Sequence, residues 1–374
     1  MFTRFSASAA VLAAAYFSQA LADPVTITDV TGREVTVEAP AKRIILGEGR
    51  QIYLLGVLER EAPFSRVVGW REDLLQADPD TYALYAGKFP ELKDLPTFGG
   101  FKDGTFDVEQ AAALDPDVVL MNFEAKQATE DAGYDDKLAE LGIPIVYVDF
   151  REDPMAHSIQ SMRIMGQLIG QEEKAEEYIG FVEQQMARVT DVLADAEFER
   201  PRVFVDRAGG YSDDCCMTFG AGNFGDYVEI VGGTNIASDI LPTTFGTLNP
   251  EQIIAANPQQ VIVTGGQWEA YVPGGAWVGL GPGSDMAEAR SKLEALTHRT
   301  AMTGIDAVKT GEVHAIWHQF YDNPYYFVAV QRLAKWFHPE LFAELDPEAT
   351  LQELHERFLP VPYKPGYWVS LNEQ

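Results

Sequence analysis

Two stretches of the chain share one pattern: TFDVEQAAALDPDVVLM at residues 105–121 and TLNPEQIIAANPQQVIV at residues 247–263, with first residues 142 positions apart. In each, a Thr/Asp or Thr/Asn start can cap a short helix whose first turn carries a Glu, where a carboxylate suits the helix dipole. A Pro after Asp or Asn ends that helix, and an apolar run follows as a buried strand. Chance similarity of two helix–strand units is the alternative. We predict two similar lobes.

Further strands are predicted at residues 43–46, 143–149 and 202–206, which are short apolar runs that end in polar or Gly-rich loops. Because such strands alternate with helical segments, they predict parallel βαβ sheets, one in each lobe. The predicted fold class is therefore α/β.

Residues 171–194 lie between the two repeats and contain no Pro and one Gly, Gly180. A helix of this length spans about 36 Å, enough to run the height of two lobes. An ordinary surface helix is the alternative, but the position between the repeats favours a bridge. The predicted organisation is an N-terminal lobe at 23–170, the bridging helix and a C-terminal lobe at 195–374. Apolar side chains recur at steps of three or four and form one stripe on this helix: Tyr178, Val182, Met186, Val189 and Leu193.

The composition excludes several classes of protein. Among 374 residues, 28 Lys and Arg stand against 57 Asp and Glu, a formal net charge of −29. Phosphate backbones and anionic membrane surfaces repel such a chain, so neither is a predicted partner. A hydrophobic content of 46% indicates folded cores rather than disorder. Two cysteines are too few for a disulfide-dense scaffold or a four-cysteine zinc site.

Residues 1–22 are predicted to be a cleavable signal peptide. Arg4 provides a positive start, residues 7–17 are apolar and small, and Ala20-Leu21-Ala22 matches an A-x-A cleavage site. The apolar run is about half the roughly 20 residues that a membrane span needs. Its removal with Arg4 leaves 27 basic and 57 acidic side chains, a net charge of −30. No cysteine adjoins the cleavage point, so we expect a soluble periplasmic protein without a lipid anchor.

Several segments together resemble the periplasmic substrate-binding proteins of iron-complex (siderophore) and cobalamin ABC importers. They are residues 27–37 with 40–46 near the start, 141–149, 231–237 and the two repeats, so that nearly the whole mature chain is covered. The resemblance implies two Rossmann-like lobes joined by one long helix, with a stiff hinge and a small closing motion.

The resemblance also implies a role for the repeated glutamates. In this family one surface Glu of each lobe docks into arginines of the permease dimer, and Glu109 and Glu251 occupy the matching positions. Exposed carboxylates at equivalent places on two lobes can address a two-fold partner symmetrically. The alternative is that each Glu only stabilises the start of its helix. We predict a monomer whose partners are a permease dimer and a small metal chelate.

The ligand is expected between the lobes, at the carboxyl ends of the strands. The side chains that follow the predicted strands are rich in bases and aromatics, which suits a large anionic, partly aromatic ligand such as a ferric siderophore. We therefore expect a cleft of positive charge in an acidic protein. The candidate contacts are Arg50, Trp70, Arg71, Phe101, Lys102, Phe123, Arg207, Tyr211, Trp268, Tyr271, His318 and Tyr321, with Glu48, Lys126, Arg151 and Trp317 also at strand ends.

Cys215 and Cys216 are adjacent and follow the predicted strand 202–206. In an oxidising compartment each has only the other as an intramolecular partner, which predicts a vicinal disulfide that serves as a ligand platform. Two reduced, buried thiols are the alternative. A periplasmic redox enzyme is another, but a redox dithiol usually has the spacing C-x-x-C.

No enzyme, cofactor or resident metal is predicted. Residues 220–225 satisfy G-x-G-x-x-G, but the nearest predicted strand ends at residue 206, so a loop and helix start is the better interpretation. His314 and His318 are four apart on a predicted strand, which argues against a helical zinc pair. His318 and Tyr321 could still reach an exchangeable site on an iron centre. Cobalamin and haem remain alternative ligands to a ferric siderophore.

Overall fold

The computed structural model describes residues 23–212 and 215–373, and the predicted signal peptide at residues 1–22 lies outside them. The strands are β1 Asp23–Thr28, β2 Glu34–Ala39, β3 Ile44–Leu46, β4 Val67–Arg71, β5 Thr97–Phe98, β6 Val118–Asn122, β7 Ile145–Val148, β8 Arg202–Asp206, β9 Met217–Phe219, β10 Thr234–Asn235, β11 Phe245–Thr247, β12 Gln260–Gly265, β13 Val313–Trp317 and β14 Trp368–Ser370. The α-helices are α1 Ile52–Leu58, α2 Asp73–Ala77, α3 Pro79–Lys88, α4 Val108–Ala113, α5 Lys126–Asp131, α6 Tyr134–Glu140, α7 Pro154–Ile169, α8 Glu172–Ala194, α9 Phe224–Ile230, α10 Pro250–Ala256, α11 Met286–Leu296, α12 Asp306–Thr310, α13 Tyr326–Phe337 and α14 Pro347–Arg357.

Two five-stranded sheets form the centres of the two lobes. The N-terminal sheet has the order β5-β4-β3-β6-β7 and all its pairings are parallel. The C-terminal sheet has the order β10-β8-β12-β13-β14, in which only β14 runs antiparallel. Strands β3, β6, β12 and β13 are buried along their whole length, as expected of strands covered on both faces. The predicted α/β fold is confirmed.

The repeated stretches occupy equivalent places in the two sheets. Helix α4 leads into β6, which lies between β3 and β7, and helix α10 leads into β12, which lies between β8 and β13. Both helices begin as the sequence predicts, because the side chain of Asp107 or Asn249 accepts a hydrogen bond from the backbone N–H three residues on. The repeat therefore corresponds to one structural unit used once in each lobe.

Helix α8 lies in the chain between the two sheets and spans almost the same residues as the predicted bridge. It packs against α7 on one side and α13 on the other. Tyr178 and Val189 of its apolar stripe are buried, and the Tyr178 hydroxyl donates to the carbonyl of Pro324, 2.8 Å away. The helix thus contacts the lobe that precedes it and the lobe that follows it.

Candidate functional site

A cavity of about 230 Å³ lies between the two lobes, at the carboxyl ends of their strands. Arg50 follows β3 in the N-terminal lobe, Arg207 follows β8, and His318 follows β13. This is the edge at which open α/β sheets bind ligands. The cavity is lined by Arg50, Ala77, Arg207, Ala208, Tyr211, Met217, Trp268, Tyr271, His318, Gln319 and Tyr321.

Arg50 is surrounded by three carboxylates, those of Glu48, Asp73 and Asp322, which together form the Arg50 cage. Its guanidinium pairs with Glu48, with Asp73 (Nε to Oδ2, 3.4 Å) and with Asp322 (Nη1 to Oδ2, 3.1 Å), and Nη1 also donates to the hydroxyl of Tyr321. Burial by itself lowers the pKa of Arg50, but these partners outweigh it and the pKa is raised well above its ordinary value. The charge of Arg50 is therefore neutralised within the protein.

Arg151, in the loop after β7, has the same kind of environment. Its Nε lies 2.6 Å from Oε2 of Glu124, and its Nη1 lies 3.8 Å from carboxylate oxygens of both Glu48 and Asp322. Asp322 thus bridges two N-terminal arginines from the C-terminal lobe. Burial raises the pKa of Asp322 to about 6 in spite of the neighbouring cations.

Arg207 differs from both. Its guanidinium carbon lies 4.8 Å from the centre of the Phe245 ring, and its Nη1 is 3.8 Å from the Met217 sulfur. No carboxylate of residues 23–212 or 215–373 pairs with it. Burial lowers the pKa of Arg207 below its ordinary value. This partly buried cation therefore lacks the compensation that Arg50 and Arg151 have.

His318 is neutral at neutral pH. Its Nδ1 lies 2.8 Å from the hydroxyl of Thr264, and its ring centre lies 4.2 Å from that of Tyr321. Burial, together with the nearby arginines, lowers the pKa of His318 well below its ordinary value. A neutral imidazole adds no charge to the cavity, so Arg207 is the one cation among the described C-terminal residues that line it.

Aromatic side chains complete the C-terminal wall. The ring of Tyr211 stands edge-on to Trp268 at 5.5 Å and lies 6.3 Å from Tyr271. Tyr271 is 42% exposed, whereas Trp268 is buried. The rim can therefore offer an aromatic surface to a ligand that enters from solvent.

The structure brings seven of the fourteen sequence-predicted ligand residues into this cavity. They are Arg50, Arg207, Tyr211, Trp268, Tyr271, His318 and Tyr321. Arg71, Phe101 and Lys102 instead line a smaller pocket of about 30 Å³ in the N-terminal lobe, next to Glu48 and Arg151. Lys102 pairs there with Glu124.

Trp70, Phe123 and the cysteines lie elsewhere. Trp70 is 1% exposed and its ring stacks on Tyr82, so it belongs to the core. Phe123 meets the His157 ring edge-on at 5.9 Å. The predicted disulfide between Cys215 and Cys216 is present, but Cys216 is 1% exposed within the core and Cys215 is partly buried. The disulfide directly precedes strand β9, and neither cysteine lines the cavity.

The expected positive cleft is wrong for the N-terminal face. Strand ends supply acids there as well as bases, and Asp73 at the start of α2 and Asp322 of the C-terminal lobe add two more carboxylates. The sequence interpretation included Glu48 among the strand-end residues but not Glu124, which follows β6, or Asp322, which follows β13. The positions of these acidic residues can be read from the sequence, but their pairing with Arg50 and Arg151 depends on the fold.

Two other sequence interpretations can be compared with the structure. The sequence interpretation missed the three-residue strand β9, which directly precedes the segment 220–225. Helix α9 begins at Phe224 within that segment, as the predicted loop and helix start implied. His314 lies on β13 and is bonded to Ser370 (2.7 Å) and Gln260 (2.9 Å), so it is a structural histidine.

Glu109 and Glu251 are exposed in the first turns of α4 and α10. Since these helices lead into equivalent strands, the two carboxylates occupy equivalent places on the lobes. In the described parts of the chain, no set of three or more His, Cys, Asp or Glu side chains could hold a metal ion. No helix there is both long and apolar enough to span a membrane.

Residues 74–318, about two thirds of the chain, match the family model described as "Periplasmic binding protein", and the chain belongs to this family. It is 24% identical over 247 residues to a cobalamin-binding protein of Halobacterium salinarum, which covers 65% of this chain but only 58% of that protein. It is 22% identical over 328 residues to the uncharacterised ABC transporter substrate-binding lipoprotein YvrC of Bacillus subtilis, covering 86% and 88% of the two chains.

Solved structures share the fold. The TroA-like periplasmic binding protein FepB from Veillonella parvula superposes with a TM-score of 0.84 at 27% identity, covering 93% of this chain and all of that one. The molybdate-binding protein MolA of Haemophilus influenzae superposes with a TM-score of 0.68 at 18% identity, covering 91% and 99%. The family and these named relatives are binding proteins rather than enzymes.

Proposed function

We propose that this member of the periplasmic binding protein family is the receptor of an ABC importer and binds a ferric siderophore between its lobes. The observation that carries the proposal is Arg207, a cation without a described carboxylate partner in an aromatic-walled cavity at the strand ends. An anionic ligand group would offset the unfavourable burial of this charge through charge-assisted hydrogen bonds.

The other walls support the same ligand class. Trp268, Tyr271 and Tyr211 offer ring faces and edges for stacking, which a catecholate chelate can use. The N-terminal arginines have their own carboxylates, so the cavity needs only a limited number of anionic groups from its ligand. A bare metal ion fits less well, because the described residues do not gather a set of metal ligands.

Cobalamin is the second candidate, since a relative is named as a cobalamin-binding protein. A redox enzyme is less well supported, because Cys216 lies in the core and its sulfur is not open to a substrate. Arg207 favours an anionic siderophore over cobalamin, whose periphery consists mainly of uncharged amides with a single phosphodiester anion. Haem, which carries two propionates, is distinguished from both by its Soret band.

The test is to purify the protein with its native ligand and record a mass spectrum and an absorption spectrum. A ferric-chelate absorption band with the mass of a siderophore is expected, whereas a corrin spectrum or a Soret band would overturn the proposal. Titration with model chelates adds a second criterion. An anionic iron(III) tris-catecholate should bind more tightly than an uncharged iron(III) tris-hydroxamate, because only the former offers charge to Arg207.

Glu109 and Glu251 are proposed to dock onto the permease dimer. Replacing both by Lys should abolish uptake while ligand affinity stays unchanged, because neither side chain lines the cavity. The measurement pairs transport in cells with binding by the purified variant. Glu172→Lys with Glu288→Lys is the matched control, since these carboxylates are also exposed in first turns of helices. Loss of affinity, or equal loss of uptake in the control, would contradict the docking role.

Export to the periplasm by a cleavable signal peptide, without a lipid anchor, belongs to the same proposal. Mass determination of the secreted protein should give a chain that begins at Asp23 and carries no lipid. The relative from Bacillus subtilis is named as a lipoprotein, so a lipid-modified mature chain is the outcome that would overturn this part. A monomer is expected by size-exclusion chromatography.

A further inference from the structure

Asn223 is a fully buried residue with an unusual backbone at the start of α9. Its φ is 54° and its ψ is −127°, a region that L-residues rarely adopt. Its amide nitrogen donates to the carbonyl oxygens of both Arg151 and Tyr321 (2.8 Å for the latter), and its Oδ1 accepts the backbone N–H of Phe224 at 2.8 Å. Such a conformation persists where the surrounding bonds over-determine it, and it often marks a functional site.

The two carbonyls that Asn223 holds belong to opposite faces of the cleft. Arg151 follows β7 of the N-terminal sheet, and Tyr321 ends the short helix that follows β13 of the C-terminal sheet. The guanidinium carbon of Arg151 lies 5.0 Å from the centre of the Tyr321 ring. The Asn223 side chain therefore hydrogen-bonds to the main chains of both Arg151 and Tyr321, whose side chains contact each other across the cleft.

The backbone around Asn223 packs tightly on the N-terminal loop. A Cβ on Gly222, whose φ is 108°, would lie 3.0 Å from the carbonyl oxygen of Glu152. Thr244 contacts that same oxygen through its hydroxyl at 3.4 Å. From within the N-terminal lobe, the Asp149 carboxylate accepts the N–H groups of Arg151 and Glu152, both at 2.8 Å. The loop that carries Arg151 is thus held from both lobes.

We propose that Asn223 is a positioning residue that sets the separation of the two cleft faces and thereby the affinity for the ligand. The proposal rests on the proposed function only in assuming that the ligand binds in this cavity. By fixing the Arg151 and Tyr321 main chains together, Asn223 holds the cleft in its binding geometry before the ligand arrives, which reduces the ordering required on binding.

The test is Asn223→Gly, because glycine adopts the observed backbone freely and the variant should fold. It removes the interlobe hydrogen bond to the Arg151 carbonyl together with the bond to the Tyr321 carbonyl. In the ligand-free protein, amide hydrogen exchange at Arg151 and Glu152 should become about tenfold faster, as expected when a hydrogen bond that opposes local opening is lost. Affinity for iron(III) tris-catecholate should fall about tenfold, mainly through faster dissociation.

The matched control is Asn257→Gly. Asn257 also has a positive φ, 45°, and its amide bonds both Asp306 Oδ2 and the Asp306 N–H at 2.8 Å, but these partners lie in its own lobe. The control should leave exchange at Arg151 and Glu152 and affinity unchanged. Unchanged exchange in Asn223→Gly, or faster exchange with unchanged affinity, overturns the proposal. If even the native protein fails to bind the probe, the proposed ligand is wrong, and the exchange data alone decide whether Asn223 couples the two faces.

Discussion

The arginines on the two faces of the cleft differ in whether described carboxylates pair with them. On the N-terminal face, Arg50 is surrounded by carboxylates and its pKa is raised in spite of burial. On the C-terminal face, Arg207 rests against Phe245 and a methionine sulfur, and burial lowers its pKa. Removing a buried cation from its counter-ions leaves uncompensated charge and destabilises the fold, whereas a cation without counter-ions is available to an incoming anion. The number of bases in a cleft therefore says less about its ligand than the number left unpaired.

The largest expected effect is on the N-terminal face. Arg50→Met leaves Glu48, Asp73 and Asp322 buried without their shared cation and should lower the free energy of unfolding by about 3–5 kcal/mol. Urea unfolding of the ligand-free protein measures it. Arg163→Met is the control, because the exposed Arg163–Glu176 pair should contribute less than about 1 kcal/mol. Equal effects of the two substitutions would contradict a structural role for the Arg50 cage.

A smaller effect, on affinity rather than stability, is expected on the C-terminal face. Arg207→Met should weaken binding of iron(III) tris-catecholate by about 1.5–3 kcal/mol, the usual contribution of charged hydrogen bonds. The free energy of unfolding should stay constant or rise, since the substitution removes a partly buried charge that has no carboxylate partner among the described residues. Fluorescence titration and urea unfolding give the two quantities. Arg207→Lys, which keeps the charge, should retain more affinity than Arg207→Met. If Arg207→Met lowers stability but leaves affinity unchanged, Arg207 has a structural role like that of Arg50, and the proposed difference between the two faces is wrong.

The smallest expected effect concerns Asp322, which joins the two faces. Its ordinary pKa is 3.8 and its pKa in the fold is raised to about 6 by burial, so the folded protein binds the proton more tightly than the unfolded chain. The resulting stabilisation is fully present below about pH 4 and is lost as the pH rises to about 6. Asp322→Asn does not titrate, so the stability difference between native protein and variant should shift by about 1–2 kcal/mol across this range. Urea unfolding from pH 4 to 7 checks it, and a pH-independent difference would refute it.

Much of the architecture was predictable because it depends on short patterns. The repeat at 105–121 and 247–263 contains its own caps, helix and strand, and each unit folds as its sequence predicts. The continuous helix Glu172–Ala194 follows from an apolar stripe without Pro. The expectation that ligands bind at the carboxyl ends of parallel strands correctly predicted that Arg207, His318 and Trp268 line the cavity, since these ends meet at one edge of the sheet. Strand β9 was missed because three residues carry too little periodicity to detect.

What the sequence by itself determined is therefore the two-lobed frame, the edge at which the site lies and the family. The tertiary structure alone decided which strand-end side chains face the cavity and which bases keep a free charge. Trp70 and Trp268 were both expected at strand ends, yet Trp70 lies within β4 in the core and Trp268 lines the cavity. Arg50 and Arg207 likewise differ only in partners brought from distant segments, such as Asp73 and Asp322. Local periodicity specifies secondary structure, but the partners of a charge depend on long-range packing, which no short stretch of sequence encodes.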